Sequence, residues 1–156
     1  MAARASAASE SVQRVLVITR VLDAPPRLVF KAWSEPARLV HWWGPQGFTL
    51  PSCEMDVRPG GAFRFHMHSP EGTDHWLRGV YREIVEPERL VFSWAWDDAE
   101  GKPGHETLVT VTFAEHGGKT KITLHQADFE SVTARNEHQG GWTSSLDRLT
   151  EYLAKA

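Results

Sequence analysis

The sequence predicts an α+β fold: a curved, mostly antiparallel sheet of about seven strands wrapped around one long C-terminal helix, with two short helices after the first strand. Three observations carry that expectation. Apolar residues recur at helical spacing between residues 23 and 44, change to a period of two from Phe48 onward, and return to helical spacing after Ser131. The alternating region is punctuated by Pro-Gly-Gly, Glu-Pro-Glu and Gly-Gly turns. The strands come in a block instead of alternating with helices, which argues against a parallel βαβ sheet.

Residues 11–24 alternate in part and are rich in Val, Leu and Ile, so they form the first strand. A helix follows in residues 23–34, with Asp23 as a cap, prolines in the first turn, and Val29, Ala32 and Trp33 at helical spacing. A second helix begins near Ser34 and Pro36. Its stripe is Leu39, Val40 and Trp43, and Gly44-Pro45 stops it. Residues 48–69 read as two strands joined at Pro59-Gly60-Gly61, and residues 75–96 as two more that turn at Glu86-Pro87-Glu88. Residues 105–129 are the clearest hairpin, with Gly117-Gly118 as its two-residue turn. The last helix, residues 131–156, carries Trp142, Leu146, Leu149 and Leu153 on one stripe. Carried backward, that stripe lands on His138, Arg135 and Ser131. Gly140-Gly141 divides the helix at a cost of roughly 1 kcal/mol per glycine relative to alanine.

The 156 residues are expected to form one domain over residues 12–156, after a flexible tail of residues 1–11. A net charge of -3, with both signs mixed along the chain, offers no basic stripe for phosphates, so no nucleic-acid partner is expected. No apolar run approaches the roughly 20 residues of a membrane helix, so no membrane insertion is expected. Cys53 is the single cysteine, which fits a reducing cytoplasm and excludes an intramolecular disulfide. Seven Trp and seven Phe against two Tyr must either fill a core or line a cavity.

Alternation sorts the candidate site residues. Phe63, Phe65 and Met67 share one strand face and Arg64, His66 and His68 the other. Leu90, Phe92, Trp94 and Trp96 share a face on a later strand. Trp42 and Trp43 diverge by about 100° on a helix, so Trp43 goes to the core while Trp42 faces either framework or cavity. Tyr81 either orients a ligand or bonds within the fold. Glu83 could serve as a base, but pairing with an Arg of a neighbouring strand is the simpler reading. The His66-x-His68 pair lacks a convincing third and fourth ligand, so the sequence predicts solvent-facing histidines and no metal. His125, Asp128, Arg135 and His138 gather at the sheet-to-helix junction, where His and Asp could do acid–base work or simply solvate the junction. No nucleophile elbow, zinc-binding His-Glu-x-x-His, phosphate loop or dinucleotide fingerprint is present, and no cofactor is expected.

The segments LDAPPRLVFKAW, HWWGPQGF, VRPGGAFRF, GVYREIVEPERLVFSWAW and GGWTSSLDRLTEYL, in that order, closely resemble the branch of activator-of-heat-shock-protein-ATPase homologues. That branch (AHSA-type) belongs to the START/polyketide-cyclase superfamily, also called SRPBCC or birch-allergen-like. The resemblance implies a helix-grip fold with a cavity between sheet and last helix. It implies a hydrophobic or amphipathic ligand, lipid or polyketide-like, with Trp42, Phe63, Phe65, Met67, Tyr81, Phe92, Trp94, Trp96, His138 and Trp142 as ligand contacts. Two other functions go with the family. One is an enzyme of cyclase, dehydrase or hydrolase type, with His125, Asp128 and His138 as candidate catalytic groups. The other is a chaperone-associated stress-response protein, disfavoured because the family's eponymous member has a further domain for which this chain has no room. A homodimer is left open.

Overall fold

The computed structural model describes residues 14–155, so the expected tail at residues 1–11 lies outside the described residues. The elements are β1 (Leu16–Leu22), α1 (Pro26–Ser34), α2 (Pro36–Leu39), β2 (Thr49–Met55), β3 (Ala62–His68), β4 (Asp74–Val85), β5 (Arg89–Asp97), β6 (Pro103–His116), β7 (Lys119–Ala127) and α3 (Val132–Lys155). The strands form one sheet in the order β1-β7-β6-β5-β4-β3-β2, and every pairing is antiparallel. The sheet curves around α3, and the core lies between its concave face and the helices.

Period-two alternation decides which side chains enter that core. In β3, Phe63, Phe65 and Met67 are buried while Arg64, His66 and His68 stay partly exposed. Gly117 and Gly118 both adopt positive φ, 58° and 82°, and turn β6 into β7 in two residues. Gly79 pairs with Phe63 across the β3–β4 ladder. A Cβ there would stand 2.0 Å from the Ser93 carbonyl oxygen and 2.3 Å from the Phe63 ring, so the phenyl group lies where a side chain would be.

The first helices depart from expectation. The cap of α1 is Pro25, without a side-chain hydrogen bond, so Asp23 caps nothing. Ser34 donates to the Phe30 carbonyl at 2.9 Å and closes α1 instead of opening α2. Helix α2 has four residues, because the His41 and Trp42 amides turn to carbonyls three residues back, Arg38 and Leu39, both at 3.2 Å. Gly44, at φ 94°, then ends the turn as expected. In α3 the glycine pair does not break the helix, which runs continuously with Trp142, Leu146, Leu149 and Leu153 buried. A Cβ at Gly141 would meet the Pro45 ring at 3.8 Å, an ordinary van der Waals contact, so the loop after α2 packs directly over this part of the helix.

Candidate ligand-binding site

Six of the seven tryptophans form one continuous cluster across the sheet, the short helices and α3. Trp33 stacks on Trp142 (5.8 Å) and meets Trp42 edge-on (4.8 Å). Trp43 stacks on Trp94 (5.7 Å) and meets Trp142 edge-on (5.4 Å). Trp96 stands edge-on to Trp94 at 5.3 Å. Offset and edge-on pairs at these separations each add about 0.5–1.5 kcal/mol beyond area burial, so the cluster is rigid framework as well as surface.

One side of the cluster is open. A cavity of about 200 Å³ lies between the sheet and α3. Its sheet wall is Met67, His75, Trp94 and Trp96, and its helix wall is Glu137, His138, Gly141, Trp142 and Ser145. The loop after α2 supplies Trp43, Gly44, Pro45 and Phe48. Trp43 also lines an inner void of about 10 Å³, enclosed by Trp33, Leu39, Phe63, Phe65, Tyr81 and Phe92. The Trp43 indole is therefore a partition. It packs edge-on against Phe65 at 5.1 Å and fills the space between the deep sheet and the cavity.

The partition is held from α3. Arg148 Nη1 donates to the carbonyls of Trp43 (3.1 Å), Gly44 (2.9 Å) and Pro45 (3.2 Å), and Nη2 reaches the His41 carbonyl at 3.4 Å. These bonds satisfy carbonyls that the short α2 leaves without helical partners. The Gln46 amide donates to Ser144 Oγ at 2.8 Å and fixes the same loop a second time. The far wall is fixed by a buried relay. Trp142 Nε1 donates to Gln126 Oε1 (2.8 Å), and Gln126 Nε2 donates to Thr107 Oγ1 (2.8 Å). By contrast the indole N–H groups of Trp33, Trp43 and Trp94 are buried without a hydrogen-bond partner.

His138 is one of the polar groups in the cavity wall, beside His75, Glu137 and Ser145. Its ring contacts Trp94 (5.4 Å) and Phe129 (5.0 Å), and its Nε2 accepts the Trp96 indole N–H at 3.3 Å. Burial pushes its pKa down to about 4. The imidazole is therefore neutral at physiological pH, with its proton on Nδ1.

Of the residues the sequence nominated, Met67, Trp94, Trp96, His138 and Trp142 line the cavity. Phe63, Phe65, Tyr81 and Phe92 lie behind the Trp43 partition, around the inner void. Trp43 is buried in the core as expected and also presents its indole to the cavity. Trp42 takes the framework role of its two expected ones: it is fully buried and donates to the Ala32 carbonyl at 3.0 Å. His125 is exposed on the convex face, since its neighbours Leu124 and Gln126 take the concave one. Asp128 is exposed at φ 71°, with its carbonyl bonded to His105 Nε2. The structure does not bring these two to His138, so no acid–base pair forms among the three. Arg135 binds the Val15 carbonyl at 3.1 Å and ties α3 to the start of β1. Glu83 pairs with Arg89 at 3.3 Å, and a register shift after Tyr81 separates the acid from the buried phenol. Burial raises the Cys53 thiol to about 11, as suits an inert cysteine. Sequence reading missed the loop residues Pro45 and Phe48, the wall residue His75 and the clamp Arg148. Pro45, His75 and Arg148 lie on no apolar periodic stripe, and Phe48 was read only as the start of a strand.

A seven-stranded antiparallel sheet gripping a C-terminal helix, with an aromatic cavity between them, defines a helix-grip protein. The chain belongs to the family described as activator of Hsp90 ATPase homolog 1-like proteins, whose match spans residues 23–154. Solved structures are similar over nearly the whole chain. An AHSA1 protein from Silicibacter pomeroyi is 28% identical with a TM-score of 0.81, covering 90% of this chain and 97% of that one. A protein from Chromobacterium violaceum is 28% identical with a TM-score of 0.79, covering 88% and 95%. A Rhizobium leguminosarum protein is 28% identical with a TM-score of 0.77, covering 91% and 95%. No curated protein matches the sequence. No helix among the described residues is long and apolar enough to cross a membrane.

Proposed function

We propose that this protein binds a compact apolar or amphipathic small molecule carrying a hydrogen-bond acceptor, in the cavity between the sheet and α3. The observation that carries this reading is the aromatic cavity itself, lined by four tryptophans and Met67 with few polar groups. Its size limits the ligand. An apolar cavity of about 150 Å³ takes benzene, and pockets for drug-sized ligands run from about 300 Å³. At about 200 Å³ the site suits one substituted ring, or one end of a longer lipid or polyketide chain. Trp43 and Trp94 line the cavity and their buried N–H groups lack partners, so a ligand oxygen that displaces the packing over either N–H gains a hydrogen bond. The carboxylate of Glu137 in the wall disfavours an anion. The same reading keeps the protein in a reducing, cytoplasmic setting, where Cys53 needs no partner.

The alternative, an enzyme in the same cavity, has His138 as its base. A group held at about 4, whose free lone pair already accepts the Trp96 N–H, is a poor proton acceptor at neutral pH. Binding is therefore the stronger reading. Native mass spectrometry of freshly purified protein, followed by solvent extraction, tests it. The expected result is a released ring-bearing, oxygenated compound. It is lost in Gly141→Phe, which fills the cavity from a helical position. A clean apo mass, together with no tryptophan fluorescence response to a panel of aromatic ketones and esters, would overturn the proposal.

A further inference from the structure

The convex face of the sheet carries a second cluster, remote in chemistry from the cavity. His66 and His68 project from the same face of β3, because Phe65 and Met67 take the other. Asp74 opens β4 directly opposite His68, while the residue opposite His66 is Trp76. Asp74 Oδ1 lies 2.7 Å from His68 Nδ1 and 2.7 Å from His66 Nε2. The directly opposed histidine reaches the carboxylate with its near ring nitrogen and the diagonal one with its far nitrogen. Both rings thus converge on one point, and the three ligand atoms lie within 4.8 Å of one another. The His66 ring stacks on Trp76 at 4.5 Å and 10°, which fixes its orientation.

We propose that His66, His68 and Asp74 bind a divalent transition-metal ion of the zinc class on the outer face of β3 and β4. Two imidazoles and one carboxylate are a donor set that suits zinc and its neighbours, whereas calcium and magnesium require oxygen ligands. With metal–ligand bonds of about 2.0–2.1 Å, tetrahedral ligands stand about 3.3 Å apart. The carboxylate must therefore move outward from the two nitrogens by about half an ångström, and the nitrogens, as much as 4.8 Å apart, must close by up to about 1.5 Å. Side-chain rotations of His68 and Asp74 supply that, because these side chains are 43% and 54% exposed. Without metal, each imidazole donates an N–H to Asp74. On binding, that proton resides on the other ring nitrogen, Nδ1 of His66 and Nε2 of His68, and the freed lone pair meets the ion. The fourth position faces solvent and takes water. The sequence alone could not assemble this set, since Asp74 enters it only through the β3–β4 register.

The test is calorimetric titration of the tag-free, chelator-stripped full chain with zinc chloride, together with the visible spectrum of the cobalt(II) form. One equivalent binds, and cobalt gives the intense bands of a tetrahedral site. His66→Gln, His68→Gln and Asp74→Asn each weaken binding by about tenfold or more, while His116→Gln and His125→Gln leave it unchanged. Circular dichroism of the metal-free variants confirms folding, and His68→Gln, at an exposed position, is the variant least able to disturb it. No uptake of zinc by the wild-type chain at millimolar metal would overturn the site and leave a hydrogen-bonded cluster only. Equal affinity in the three variants would overturn it too.

Discussion

Asp97 sits at the end of β5 with its side chain 7% exposed, held by Arg64 Nη2 at 2.6 Å and Arg78 Nε at 2.8 Å. The Arg78 bond, then the Arg64 bond, keeps its carboxyl below the usual carboxylate range. The stability this contributes is complete above the unfolded carboxyl's pKa and is lost as pH falls through the lower folded value. His138 acts in a higher window. The unfolded imidazole takes a proton near 6.5 and the buried one only near 4, so between those values the unfolded chain binds more protons. Stability therefore drops as pH falls from about 6.5 to about 4, by at most about 3 kcal/mol from this residue. Thermal denaturation followed by circular dichroism across pH should show both limbs. His138→Gln is expected to flatten the upper limb. Asp97→Asn should flatten the lower limb and cost about 2 kcal/mol at neutral pH. A wild-type Tm that does not change between pH 6.5 and 4 would contradict the burial of His138.

Among the elements, the loop between α2 and β2 decides the shape of the cavity. Gly44 lets the chain reverse, Arg148 gathers the carbonyls of the turn, and Trp43 divides the interior. Trp43→Ala should join the inner void to the outer cavity. The expected cost is about 3–5 kcal/mol of stability, with ligands larger than one ring then accepted. Unchanged ligand size preference in a folded Trp43→Ala protein would remove the partition role. The contrast with Trp42 shows what the sequence could convey. Strand faces were legible, because period two is unambiguous: Met67, Trp94 and Trp96 fall where alternation places them. The long stripe of α3 was legible for the same reason. The role of Trp42 was not, because its direction depends on a helix ending after four residues. Phe63, Phe65, Tyr81 and Phe92 were assigned the right face but the wrong depth. Depth is set by Trp43, which arrives from another element. Asp23 and Ser34 have capping chemistry, yet prolines at the helix starts fix the backbone without them.

At the scale of the molecule, a curved sheet grips one helix and packs most of the interface with indole rings. The space left over is small and apolar, and two of the tryptophans that line it have buried N–H groups without acceptors. The inner face is suited to a compact ligand and the outer face of β3 and β4 to a metal ion. The sheet's alternation gives the two sites opposite chemistry from neighbouring residues, Met67 inside and His66 and His68 outside. The account depends most on the inner site. The direct measurement follows the indole N–H resonances of 15N-labelled protein during titration with single-ring ketones, esters and ethers. The account predicts that Trp43 and Trp94 shift together with Trp96, while Trp42, bonded to Ala32, and Trp76, on the outer face, remain in place. Shifts confined to Trp76, or none in Trp43 and Trp94 with any of these compounds, would contradict it.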